Sequence, residues 1–330
     1  MNVRRLTRHT GIALFTAAVV LLLPACAARQ TAEPPSVVFE NAHSGGSTVA
    51  FSHSGDVLAS GGWEGGLRLW HTARQRQVAG WKAHDSSVNG IGFTADDRYI
   101  ITAGYDGVLA EWDRGGRLSR QRSTPSPVMH MVVHAASGRI ITGHADGSVR
   151  IWRLSDFSLL RARELHGGVV KAVAIDPLRQ HYASSGADGA VFVFDESGPA
   201  RQLESPPLDA WTLAFSPDGQ SLYGGSWFRL FRWQLSDGVL ESLPTRHHGI
   251  IRSIQFVNGS NELATISRQT DRSVYFLDPQ SGEITRKFRQ HELCGAAVAV
   301  SGDGRYLGTT SDDASVRIYD LGQTAVSNGP

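Results

Sequence analysis

The stretch YDGVLAEWD, residues 105–113, decides the fold of this chain. It joins an acidic turn to a strand in which apolar and polar residues alternate, as expected for a half-buried β-strand. Three further stretches follow the same pattern: ADGSVRIWR at 145–153, ADGAVFVFD at 187–195 and DDASVRIYD at 312–320. Weaker copies begin at Trp63 and Trp227. The chain is therefore an internal repeat built on β-structure.

The position that ends each repeated strand recurs at a nearly constant spacing of about 40 to 44 residues. It is occupied by Trp70, Trp112, Trp152, Phe194, Trp233, Leu277 and Tyr319. A period of this length is typical of a radially repeated β-fold, in which each repeat is one blade. We therefore expect one closed ring rather than two domains, although 330 residues would allow two.

The second repeat shows the pattern of strands and turns that is predicted for one blade. Residues 87–94, 98–103 and 108–112 predict three strands, and the two turns between them carry the Asp and Gly residues that tight hairpins favour. A fourth, outer strand is predicted after each copy, for example at 77–81 after the first. The pattern indicates an all-β fold, a seven-bladed β-propeller of four-stranded antiparallel blades.

These repeats resemble the WD-repeat β-propeller family from about residue 36 onward. In that family a histidine, a Ser or Thr, the turn aspartate and the strand-ending Trp form a buried hydrogen-bonded tetrad. The resemblance implies the same role for His84, Thr102, Asp106 and Trp112. Equivalent sets are His166, Ser184 and Asp188 with Phe194; His291, Thr309 and Asp313 with Tyr319; and His43, Ser60 and Glu64 with Trp70.

Three repeats depart from the family pattern. The third has Thr124 at the histidine position, and the sixth is stretched around residues 268–271. The fifth has Ser205, Tyr223 and Trp227 where the tetrad residues belong. Ring closure is predicted from residues 36–40, which alternate, because the polar tail after Tyr319 does not resemble a strand. Closure by the N-terminal segment would remove exposed sheet edges.

The first 26 residues differ in composition from the rest. Arg4, Arg5 and Arg8 precede an uncharged run at 11–23 that is short for a bilayer span, which predicts a signal peptide at 1–25. The sequence LPAC ending at Cys26 resembles a bacterial lipobox, with Pro24 as a departure, and implies lipidation of Cys26. Ordinary cleavage to a soluble periplasmic protein and an uncleaved membrane anchor remain alternatives.

Residues 26–35 then form a polar, proline-containing linker, and residues 36–330 form the propeller. The linker would span about 30 Å, enough to hold the propeller just clear of a bilayer. Since Ala27 rather than aspartate follows the cysteine, the lipoprotein resemblance implies sorting to the outer membrane. We expect an exported, periplasmic protein that contacts the lipid bilayer through its N-terminus.

Composition and motifs exclude several classes of function. The 32 basic and 31 acidic residues are balanced, whereas nucleic-acid binding needs a clustered basic surface. Phosphate-binding glycine loops are absent from the sequence, so no nucleotide is expected, and no cofactor is indicated. The two cysteines, Cys26 and Cys294, cannot form a disulfide framework. His247, His248 and Asp271 lack the spacing of a known metal motif, and no metal is predicted.

The repeated His, Ser/Thr and Asp sets resemble catalytic triads only superficially. A catalytic triad occurs once, at a cleft, whereas these sets recur in successive blades and point into the sheets. We therefore expect no enzyme. The alternative is a ligand-binding or enzymatic propeller that uses its central channel. The inner segments, such as residues 48–51 and 296–299, consist mostly of small and apolar residues and do not favour it.

The loops that carry the turn acids should share one face of the disc, where WD-repeat propellers commonly bind partners. Trp63 and Tyr105 lie beside turn acids, and Trp227 and Phe228 occupy the same loop of the fifth repeat. Trp and Tyr are enriched in binding hot spots. The alternative for Trp227 and Phe228 is that they fill the volume left by the missing tetrad. The predicted function is a non-catalytic scaffold for other envelope proteins, whose identity the sequence does not show.

Overall fold

The computed structural model describes residues 31–179, 181–269 and 272–322. These residues form seven four-stranded antiparallel sheets and one short 3₁₀ helix, Ala135–Ser137. The prediction of an all-β, seven-bladed propeller is confirmed. The predicted signal peptide, Cys26 and the first residues of the linker lie outside the described residues.

The first three blades use consecutive strands, β2–β5, β6–β9 and β10–β13. In blade 1 these are β2 Gly46–Phe51, β3 Val57–Gly62, β4 Gly66–His71 and β5 Arg76–Lys82. In blade 2 they are β6 Val88–Phe93, β7 Tyr99–Gly104, β8 Val108–Asp113 and β9 Leu118–Ser123. In blade 3 they are β10 Val128–His134, β11 Arg139–His144, β12 Ser148–Arg153 and β13 Leu159–Glu164.

Blades 4 to 6 continue in the same order. Blade 4 comprises β14 Val170–Ile175, β15 Tyr182–Gly186, β16 Val191–Phe194 and β17 Arg201–Gln202. Blade 5 comprises β18 Thr212–Phe215, β19 Ser221–Gly225, β20 Arg229–Gln234 and β21 Leu240–Pro244. Blade 6 comprises β22 Ile250–Phe256, β23 Leu263–Arg268, β24 Val274–Leu277 and β25 Ile284–Phe288. The divergent fifth and sixth repeats therefore form complete blades.

Blade 7 joins the two ends of the described chain. It contains β26 Gly295–Val300, β27 Tyr306–Ser311 and β28 Val316–Asp320, with β1 Val37–Phe39 as its outer strand. Phe39 lies opposite Val316 in the β1–β28 ladder, and its ring stacks on Trp70 of blade 1 with 4.2 Å between ring centroids. The predicted closure by the N-terminal strand is confirmed, and the Phe39–Trp70 contact ties that strand to the next blade.

Glycines in the acidic turns let neighbouring blades approach closely. Gly65 and Gly147 have φ of 81° and 82°, a region that favours glycine. A Cβ on Gly65 would overlap the carbonyl of His84, and one on Gly147 would overlap the carbonyl of His166. The amides of these two histidines donate to the carbonyls of Gly65 and Gly147 at 3.1 and 3.2 Å. In each such turn the glycine therefore packs directly against the backbone of the histidine that begins the following blade.

The innermost strands share a β-bulge near their start in six of the seven blades. At each bulge the pairing with the second strand skips one residue. The skipped residues are Ser47, Asn89, Met129, Lys171, Arg252 and Ala296. All but Lys171 line a cavity of about 250 Å³ at the centre of the ring. The bulges thus turn one extra side chain of most blades toward the central channel.

Candidate partner-binding face and central channel

The tetrad of blade 2 is assembled inside the sheet. His84 Nε2 lies 2.8 Å from Thr102 Oγ1, and its Nδ1 lies 3.0 Å from Asp106 Oδ1. Trp112 donates its indole N–H to Thr102 Oγ1 at 3.0 Å. Burial by itself would raise the pKa of Asp106, but the hydrogen bond to His84 and further donors outweigh it and lower that pKa. The carboxylate therefore stays charged and fixes the imidazole.

Blades 1, 4 and 7 repeat this geometry. His43 joins Ser60 and Glu64, His166 joins Ser184 and Asp188, and His291 joins Thr309 and Asp313, with imidazole-to-oxygen distances between 2.8 and 3.1 Å. The hydroxyls of Thr102, Ser184 and Thr309 are fully buried. A nucleophile must reach its substrate, so this arrangement suits a structural role rather than catalysis.

In blade 3 a histidine from a different strand takes the place of the missing tetrad histidine. Thr124, at the histidine position, bonds only to backbone carbonyls, those of Gly107 and Ser126. His144, at the end of β11, places Nε2 2.7 Å from Thr142 Oγ1 and Nδ1 3.0 Å from the carbonyl of Ser126. His144 was not predicted, because the family pattern places the tetrad histidine before the inner strand. The signal was available, since a lone histidine precedes the ADG turn.

Blade 5 departs from the tetrad, whereas blade 6 keeps the contact between histidine and hydroxyl. In blade 5, Trp233 donates its indole N–H to the carbonyl of Glu204 at 2.8 Å. In blade 6, His247 Nε2 lies 2.9 Å from Thr265 Oγ1, so this histidine takes the tetrad position. Asp271 lies outside the described residues. Within the described part of the chain, no three His, Cys, Asp or Glu side chains are grouped closely enough to hold a metal ion.

The four predicted partner-binding residues lie in the loops between the second and third strands of their blades. We call the face that carries these loops the top face. Trp63, Tyr105 and Phe228 are 45%, 47% and 50% exposed, whereas Trp227 is partly buried with its ring centroid 5.6 Å from that of Phe228. Among the described residues, these three are the exposed Trp, Tyr and Phe side chains. Phe228, which is half exposed, does not fill the sheet interior.

Trp63 connects the top face to the central channel. Its indole lies against Gly45, and the Arg268 guanidinium lies 5.7 Å from its ring centroid. Arg268 also forms an ion pair with Asp312, with 3.0 Å from Nη2 to Oδ2. Trp63 and Arg268 both line the 250 Å³ cavity. Three blades, the first, sixth and seventh, therefore contribute to one edge of the channel mouth.

The channel is more polar than the sequence of the inner strands predicts. Segments 48–49 and 296–298 line it with small and apolar residues, but Asn89, His130 and Arg252 line it as well. Each bulge shifts the in–out alternation of its strand by one residue, so simple alternation assigns the wrong residues to the channel. The expectation of a mostly apolar channel was wrong in this respect.

Outside the sheets, no helix within the described ranges is long and apolar enough to cross a membrane.

Seven four-stranded sheets arranged around a central axis define the class of protein called a β-propeller. The loops between its strands lie on the two faces of the ring. Four segments of this chain match the family described as WD domain, G-beta repeat: residues 35–71, 75–113, 117–153 and 282–320. The chain is therefore a β-propeller in which these four segments match WD40 repeats. The matched segments include strands of blades 1, 2, 3, 6 and 7.

Similar proteins are larger than this chain. Striatin-4 from Homo sapiens is 24% identical over 275 residues, covering 73% of this chain and 36% of striatin-4. Cilia- and flagella-associated protein 52 from Bos taurus is 30% identical over 205 residues, covering 56% and 32%. Periodic tryptophan protein 2 from Arabidopsis thaliana is 22% identical over 280 residues, covering 83% and 28%. The chain spans about a third of the length of these relatives.

Proposed function

We propose that this protein is a non-catalytic protein-interaction scaffold that binds its partner on the top face. One observation carries the proposal: the exposed Trp, Tyr and Phe side chains described in the structure all lie in loops of that face. Exposed aromatic side chains supply large contact area at low entropic cost and are enriched in binding hot spots. The presence of WD40 repeats supports a protein partner.

The backbone of Phe228 gives independent support. Its φ of 60° is unfavourable for a bulky residue, and Phe157 has a similar φ of 56°. Phe157 is only 1% exposed, so burial of its ring compensates for the strain, whereas Phe228 stays half exposed and gains little from folding. Backbone strain that packing does not offset is expected where a side chain stays exposed because it has a function.

We further propose that the scaffold acts in a bacterial cell envelope, anchored to the outer membrane by a lipid on Cys26. This part rests on the sequence alone, on the basic start, the short apolar run and the LPAC sequence. The scaffold would then present its top face to envelope proteins. Mass spectrometry of the mature N-terminus tests the anchor: an acylated Cys26 supports it, and an unmodified N-terminus contradicts it.

Partner capture tests the binding face. The natural protein, the Trp63→Ala/Tyr105→Ala double variant and the Phe228→Ala variant are compared after crosslinking in intact cells and purification. The matched control is Leu178→Ala, because Leu178 is 65% exposed in a loop of the opposite face. Removing a hot-spot aromatic should weaken binding by about 2 kcal/mol or more, which lowers capture at least tenfold.

The scaffold proposal requires one crosslinked protein that persists with Leu178→Ala and disappears with the top-face variants. All variants must keep the melting temperature of the natural protein within a few degrees. Equal capture by all variants would place the partner elsewhere, and the absence of any specific capture would contradict the scaffold.

A further inference from the structure

The central channel holds a cation that its surroundings do not neutralise. Arg252, the bulge residue of β22, lines the cavity, and its one described hydrogen bond is a long one of 3.4 Å from Nη1 to the carbonyl of Trp211. Burial lowers the pKa of Arg252, and the nearby Arg268 adds to that effect, while Asp312 opposes it in part. Because Arg252 is partly buried and lacks a close ion-pair partner among the described residues, an anion bound beside it would be stabilised by its charge.

The other charges around Arg252 do not balance it. Asp312 is bound to Arg268, and Lys171 is bound to Asp209, so each of these acids already has a cation. His130 accepts a hydrogen bond from the Val173 amide at Nδ1, 3.3 Å away, which leaves the proton on Nε2. Burial, and then Arg252, lower the pKa of His130 to about 4, so it is neutral at pH 7. One positive charge remains.

We propose that the upper part of the central channel is a binding site for a single carboxylate group, held by Arg252 with help from Arg268 and His130 and bordered by Trp63. A planar guanidinium matches a carboxylate in a two-pronged arrangement. A carboxylate supplies the one negative charge that is missing, whereas a phosphate at neutral pH brings nearly two. The neutral imidazole of His130 offers an additional donor.

The cavity dimensions limit the source of the carboxylate. At about 250 Å³ the cavity is smaller than the pockets that enclose drug-sized ligands. It suits one acidic side chain of a protein bound on the top face, or a small free carboxylic acid. This proposal does not require the scaffold proposal, since a free acid would bind without any partner.

Methionine methyl groups give a local measure of binding. The chain has three methionines, and Met129 and Met131 both line the cavity while the third is Met1. The protein is labelled with ¹³C at the methionine methyl groups, and Met129→Leu assigns the signals. The probes are a capped Gly-Glu-Gly peptide, its Gly-Gln-Gly counterpart, butyrate and butyramide, titrated at constant ionic strength.

The proposal predicts saturable shifts of the Met129 and Met131 methyl signals with the glutamate peptide or butyrate, and none with the two amides. Tighter binding of the peptide identifies an acidic side chain of a partner, and tighter binding of butyrate identifies a free acid. Equal responses to acid and amide, or no saturable shift at either methionine, would overturn the proposal.

Two variants change affinity in opposite directions. Arg252→Gln should raise the Kd at least tenfold, because a charge-assisted hydrogen bond of about 1.5–3 kcal/mol is lost. Asp312→Asn should lower the Kd, because it releases Arg268 from its ion pair. Arg76→Gln, on the exposed face of the outer strand of blade 1, is the control and should leave the Kd unchanged.

Arg252→Gln should fold at least as well as the natural protein, since it removes an uncompensated charge. If Arg252→Gln did not fold, the lower Kd predicted for Asp312→Asn would still test the carboxylate site. An unchanged or weaker affinity in Asp312→Asn would contradict the charge argument.

Discussion

Single residues in this protein act mainly through buried hydrogen bonds. His84 holds a hydroxyl at one nitrogen and a carboxylate at the other, which joins the turn of blade 2 to its second strand. His144 makes a related pair of contacts in blade 3, although its second acceptor is a carbonyl. A buried hydroxyl needs a hydrogen-bond partner, and a histidine supplies it from a different position in each of these two blades.

Asp106→Ala should lower stability and leave partner binding unchanged. The variant loses charge-assisted hydrogen bonds from His84 and from the amides of Asp85 and Val108, which together contribute on the order of 2 to 3 kcal/mol. Thermal unfolding and partner capture measure the two effects. Asp85→Ala, one residue from His84 and exposed, is the control. A variant as stable as this control would contradict the structural role of the tetrad.

His144 should make stability depend on pH. Burial lowers its pKa to about 4 from the ordinary 6.5, so the folded protein favours the neutral imidazole. That contribution to stability is complete above pH 6.5 and is lost as the pH falls toward 4, a loss of about 3 kcal/mol.

Denaturant unfolding between pH 7 and pH 4 measures the contribution of His144. His144→Asn should lose about 3 kcal/mol less stability over this range than the natural protein does. His181→Asn, in which the replaced side chain is 43% exposed, should behave like the natural protein. If the unfolding free energies of the natural protein and His144→Asn changed with pH in the same way, His144 would not be a histidine that folding keeps neutral.

At the level of strands and turns, much of the fold could be predicted from sequence. The acidic turns and alternating strands located the blades, and the alternation at residues 36–40 located the closing strand. The bulges could not be predicted, because one extra residue reverses the alternation only over a few positions. That is why Arg252 and Asn89, two polar residues of the channel wall, were not expected there.

Closure of the ring should depend on Phe39. Its ring covers Trp70 across the boundary between blades 7 and 1, so Phe39→Ala should cost about 2 kcal/mol of unfolding free energy. Denaturant unfolding measures the loss. Val78→Ala removes an exposed apolar side chain from an outer strand and should have little effect. Similar stability of the two variants would show that β1 closes the ring without this contact.

For the whole molecule, the repeat divides structural and functional roles by location. Tetrads lie inside the blades, five of the six bulge residues line the channel, and exposed Trp, Tyr and Phe side chains are confined to the top face of the described part of the chain. The fold itself does not determine function, because the same propeller can present many surfaces. The proposed functions therefore depend on the aromatic residues of the top face and on the positive charge in the channel.

Site-specific photocrosslinking tests the central claim most directly. A photoreactive amino acid is placed in turn at positions 63, 105 and 228 on the top face, and at 178 and 239 in loops of the opposite face. The proposed scaffold predicts one common crosslinked protein from the three top-face positions and none from the other two. Crosslinks from the opposite face alone, or none from any position, would contradict it.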